Sequence, residues 1–73
     1  MKTYRLASSS LVHTPGLIAW AVNGYKFPKD RPRLLEIVSS TWNLPRKATE
    51  ALLSEKVKYT VHNETVIFTV ETN

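Results

Sequence analysis

The chain has 73 residues and no cysteine, so it holds one small domain, residues 1–73, with neither disulfides nor thiolate metal clusters. Ten Lys plus Arg against six Asp plus Glu give a formal charge of +4 and a pI near 9.7. That balance permits an anionic partner without requiring one. Hydrophobic residues reach 42%, which excludes a disordered composition. The aromatics Tyr4, Trp20, Tyr25, Phe27, Trp42, Tyr59 and Phe68 supply the apolar area a thin core needs. The longest apolar run, Leu17 to Val22, is six residues, far short of the ~18 of a membrane span. No apolar stretch follows the charged N-terminus, so no export signal, no membrane partner and a cytoplasmic location are expected.

In chain order, Lys2 to Ala7 alternates, with Tyr4 and Leu6 on one side, and reads as a short strand. Ser8-Ser9-Ser10 reads as a bend. From Thr14 to Phe27 two readings stay open. Thr14 as an N-cap, Pro15 in the first turn and Asn23-Gly24 as a left-handed stop give a helix over 15–22, followed by a strand over 25–27. Asn23-Gly24 as a two-residue turn gives a hairpin instead, with Val22 opposite Tyr25 and Trp20 opposite Phe27. A second helix starts at the N-cap Asp30, with Leu34, Leu35, Val38 and Trp42 on its inner face. Asn43 ends it, and a third helix runs from Pro45 to about Glu55 with Ala48, Ala51, Leu52 and Glu55 on one side. A hairpin closes the chain: Asn63-Glu64 turns His62 onto Thr65, Val61 onto Val66, Tyr59 onto Phe68 and Val57 onto Val70. The strand spanning 65–70 departs from clean alternation only at Ile67.

Catalytic chemistry is poorly represented. His13 and His62 are the two histidines, and no pair of ligand-type residues has the spacing of a metal site. Gly16 and Gly24 stand alone, so no phosphate-cradling loop is present. Ser8-Ser9-Ser10 lies close to His13 but lacks a third orienting group. No enzymatic activity, cofactor or metal is expected; a small hydrolase would need His13 or His62 brought beside a carboxylate.

The segment Val38-Ser39-Ser40-Thr41-Trp42-Asn43-Leu44-Pro45-Arg46-Lys47-Ala48-Thr49-Glu50-Ala51-Leu52 resembles the helix-turn-helix of DNA-binding proteins. Ser39 is the small residue where the helices touch, while Val38, Trp42, Leu44 and Leu52 take inward positions. Asn43 replaces the usual glycine, and polar Thr49 replaces a branched apolar residue. With a helix over 15–22, the order helix, short strand, helix, helix, strand, strand is similar to a winged helix. That likeness implies an α+β fold in which a helix-turn-helix is followed by a C-terminal antiparallel hairpin, the wing. A plain α+β domain with its hairpin packed on two helices fits the same order.

The likeness implies a basic DNA-binding regulator or accessory factor. Arg46 and Lys47 would set the recognition helix in the major groove, with Glu50 and Ser54 facing base edges. Lys26, Lys29, Arg31, Arg33, Lys56 and Lys58 would neutralise phosphates. One such domain touches few base pairs, so specificity would call for a homodimer or larger assembly. Glu50 and Glu55 on the same helix count against contact with phosphates. The rival is a non-catalytic protein-interaction module, an inhibitor, antitoxin-like partner or adaptor, using a sheet edge or the aromatics Trp20, Tyr25 and Phe27. Trp42 is expected to be a buried junction between the helices and the hairpin, under Tyr59 and Phe68.

Overall fold

Alternation turns Tyr4 and Leu6 inward from the first strand, β1 (Lys2–Leu6), and leaves Thr3 and Arg5 in solvent. The computed structural model describes residues 1–71 and continues with α1 (Thr14–Gly24), α2 (Arg31–Thr41), α3 (Arg46–Leu53), β2 (Tyr59–His62) and β3 (Thr65–Val70). A short 3-10 helix, Pro28–Asp30, leads into α2. The fold is α+β, with three helices and a three-stranded antiparallel sheet ordered β1-β3-β2.

The hairpin keeps its expected register, with His62 opposite Thr65, Val61 opposite Val66 and Tyr59 opposite Phe68. Asn63 and Glu64 have φ of 50° and 62°, the left-handed pair that a two-residue type I′ turn demands. The hairpin does not stand alone at the C-terminus. β1 lies along the other edge of β3 from Lys2↔Val70 to Leu6↔Val66, making β3 the central strand. The expected pairing of Val57 with Val70 is absent, because β2 begins only at Tyr59. Tyr4, Phe68 and Tyr59 share one row across the sheet, and the rings of Tyr4 and Phe68 stack with centroids 5.3 Å apart.

Residues 14–24 are helical, which decides between the two readings of that stretch. Three details are corrected. The cap is His13, whose Nδ1 accepts the Gly16 N–H at 3.3 Å. Thr14 is instead a buried residue of the helix, its hydroxyl donating to the Ala7 carbonyl at 2.9 Å. Gly24 is not left-handed; a Cβ there would lie 2.9 Å from Leu34 Cδ1 and would make that side chain shift. The strand expected over 25–27 does not form. Both edges of β3 are already occupied, by β1 and β2, so this segment turns directly into the 3-10 helix, with Phe27 exposed.

The junction between α2 and α3 follows the sequence closely. Asn43 has φ of 52°, and the Leu44 N–H donates to the Ser39 carbonyl at 2.8 Å, the closing bond of a Schellman motif. Asp30 occupies the N-cap position of α2, but its side chain makes no capping bond. Thr49 is fully buried and satisfied, since its hydroxyl donates to the Pro45 carbonyl at 3.1 Å. α3 ends at Leu53, so Glu55 lies beyond the helix, at φ 64°. Its N–H donates to Leu52, and the Lys56 N–H to Ala51, at 3.2 and 3.0 Å. This second Schellman motif places a glutamate where glycine is usual.

Leu6, Ile18, Ala21, Leu34, Val38, Ala48, Leu52, Leu53, Val66 and Phe68 form the core. Trp42 packs against its margin and is half-buried, not sealed. Its indole nitrogen points at the Ala7 carbonyl, 3.5 Å away. Trp42→Ala should therefore cost less than the ~3–5 kcal/mol of a fully buried aromatic, read as a lowered urea midpoint with an unchanged slope. Glu64→Gly should raise the unfolding free energy by about 1 kcal/mol, read as a higher midpoint, since glycine removes the left-handed penalty while keeping the backbone carbonyl that Ser8 engages.

Candidate nucleic-acid interface

At about 100° per residue, Arg46, Lys47, Glu50 and Ser54 fall within an arc of about 100° on α3, and all four are exposed. The opposite arc carries Ala48, Thr49, Leu52 and Leu53, all buried. The strong segregation on this short helix leaves its polar face open to a partner. The Ser54 hydroxyl donates to the Glu50 carbonyl at 2.6 Å. Its proton is thereby committed, and the hydroxyl faces a partner as an acceptor.

Apart from Lys2 and Arg5 on β1, the remaining cations are exposed in two groups. Lys26 lies in the turn after α1, Lys29 in the 3-10 helix, and Arg31 and Arg33 in the first turn of α2. Lys56 and Lys58 lie between α3 and β2. Arg31 of the first group is held against Tyr25. Its Nε donates to the Tyr25 carbonyl at 2.8 Å, and its guanidinium sits 5.4 Å from the Tyr25 ring centroid. The outer nitrogens remain available as a fork for an anion.

An open groove of about 360 Å³ brings four of the expected residues together: Lys26 and Arg31 on one side, Glu50 and Ser54 on the other, over a floor that includes Val22 and Leu53. Glu55 lines it too, held there by the left-handed cap. A smaller groove of about 290 Å³ takes in Lys58, Tyr59 and Glu55. Lys29, Arg33, Arg46, Lys47 and Lys56 line neither. Arg46 instead approaches Glu36 of α2 at 3.7 Å, the one ion pair among the described residues.

Tyr25, expected only as an aromatic of the protein-interaction reading, and Glu55, expected only as a charge opposing phosphates, were not evident from the sequence as members of this groove. Tyr25 acts through Arg31, six positions later, and Glu55 reaches the groove because α3 stops two residues before it. His13 serves as a helix cap and His62 is exposed beside its turn, so neither meets a carboxylate in these contacts. Among the described residues no three His, Asp or Glu side chains are grouped to hold a metal ion. No helix there is long and apolar enough to cross a membrane. The hairpin tip presents Asn63 and Glu64 without a cation, and Ser8 ties it down: its hydroxyl donates to the Glu64 carbonyl and accepts the Thr14 N–H at 3.0 Å.

Comparison with known proteins finds no matching family model, curated protein or solved structure.

The Arg46–Glu36 pair is exposed at both ends, where such contacts contribute little. Arg46→Ala should thus shift stability by less than about 0.5 kcal/mol in urea unfolding. A larger loss would mean that the side chain has a structural role.

Proposed function

We propose that the protein binds DNA through the polar face of α3. The observation that carries this reading is the clean division of α3, with Arg46, Lys47, Glu50 and Ser54 on one uncovered arc and Lys26 and Arg31 facing two of them across the groove. The element order supports a winged-helix reading: a helix-turn-helix leads directly into a hairpin, and the sheet is ordered β1-β3-β2. Here the third strand comes from the N-terminus and not from between the first two helices.

In this reading α3 enters the major groove, with Arg46 and Lys47 neutralising phosphates beside its N-terminal turn. Glu50 accepts from a cytosine amino group, and Ser54 offers a second acceptor. Arg31, Lys26, Lys29 and Arg33 follow the backbone on one flank, Lys56 and Lys58 on the other. The wing contributes through these lysines at its base, since its tip is short, tethered and carries a carboxylate.

A mobility-shift titration on arbitrary duplex DNA at low and moderate salt tests the proposal. Binding that weakens steeply with salt is expected, and Lys47→Ala should weaken it on every sequence while lowering the salt slope by about one. Absence of any complex at low salt overturns it. A second reading, a non-catalytic module that docks on another protein, draws on a different surface, where Trp20 and Phe27 are 49% and 60% exposed.

A further inference from the structure

The groove beside α3 has two walls of opposite character. One wall holds Lys26 and Arg31, side chains that can only donate. The Nε of Arg31 is committed to the Tyr25 carbonyl at 2.8 Å, which leaves its outer nitrogens for a ligand. The other wall holds Glu50, Ser54 and Glu55, which present only acceptors. Two of these are carboxylates, and the Ser54 proton is committed to the Glu50 carbonyl at 2.6 Å. Val22 and Leu53 supply an apolar floor between the walls.

The facing charges do not neutralise one another directly. The one ion pair among the described residues is Arg46 with Glu36, so neither cation of the groove closes on either carboxylate. Each wall has its own anchor. Arg31 is drawn back over the Tyr25 ring, 5.4 Å from its centroid. Glu55 is held at φ 64° by the cap that ends α3.

Charge complementarity narrows what fits. A simple anion drawn to Lys26 and Arg31 faces two carboxylates, and a simple cation drawn to those carboxylates faces Lys26 and Arg31. The two cations and two carboxylates of the groove cancel, whereas the chain as a whole carries +4. A ligand with one charge of each sign at the ends of an aliphatic chain satisfies both walls. Its methylenes then lie on Val22 and Leu53.

We infer that this groove is a binding site for a small zwitterion of the ω-amino acid class, its carboxylate on Lys26 and Arg31 and its ammonium on Glu50 and Glu55. The groove shares Lys26, Arg31, Glu50 and Ser54 with the proposed DNA face, so zwitterion and DNA exclude one another there. Binding of the zwitterion needs no DNA and is independent of that reading.

The isotope-labelled full chain, without DNA, can be titrated with γ-aminobutyrate and with ε-aminocaproate, which differ in reach, and followed by its amide resonances. The amides of Lys26, Arg31, Ser54 and Glu55 should shift and saturate. Exposed charge contacts are individually weak, so a dissociation constant on the order of 1 mM is expected for the better probe. Hexanoate and hexylammonium, with one charge each, should bind at least about fivefold more weakly. Glu55→Gly should weaken binding of the zwitterion by about the same factor. Glycine suits the left-handed backbone at that position, so an undiminished urea midpoint will show that the fold is kept. No saturable shift with either zwitterion overturns the inference. So does a single-charge probe that binds as tightly, or a folded Glu55→Gly chain with unchanged affinity. Cytidine monophosphate binding more tightly than both zwitterions also overturns it and returns the groove to nucleic acid.

Discussion

The pairing of β1 with β3 is the contact on which the rest of the molecule depends. Leu6↔Val66 joins residues 60 positions apart, and Lys2↔Val70 residues 68 apart. Closing so long a loop is entropically costly and is recovered only when the whole chain condenses. Once made, it converts β3 from the edge of a hairpin into the middle of a sheet. Phe68 then lies between Tyr4 and Tyr59, and Val66 and Phe68 are sealed beneath the helices. The strand also delivers Ala7 and Ser8 to the place where α1 begins, the hairpin turns and Trp42 ends the α2 junction.

With that anchor in place, the local geometry is sharp although favourable turn residues are scarce. Among the described residues, four other than glycine, Asn43, Glu55, Asn63 and Glu64, hold left-handed backbone, and no glycine does. The asparagines tolerate it readily; the glutamates do so at some cost in stability. At Glu55 this conformation closes α3 and sets a carboxylate into the groove between α3 and Arg31. That carboxylate offsets part of the positive charge around the groove.

The surface divides by element. α3 and the start of α2 present four of the ten Lys and Arg side chains, α1 presents none, and these helices share one core.

Periodicity and turn chemistry in the sequence were enough to determine the elements built from local contacts. The register from Tyr59↔Phe68 to His62↔Thr65 follows from alternation and a two-residue turn, and the Asn43 stop from the spacing of Leu34, Val38 and Trp42. The exposure of Arg46, Lys47, Glu50 and Ser54 follows from the apolar positions between them on α3. Tertiary structure decided what depends on distant partners. A strand over 25–27 was plausible by composition but lost to β1, because β3 has only two edges and the N-terminal strand took the free one. Trp42 had the right spacing to be buried, yet burial is set by how much of the sheet reaches it, and its outer side stays open to solvent. The gathering of Lys26 and Arg31 with Glu50 and Ser54 joins elements about twenty residues apart in sequence, and only the packing of α1, α2 and α3 on one core could bring it about.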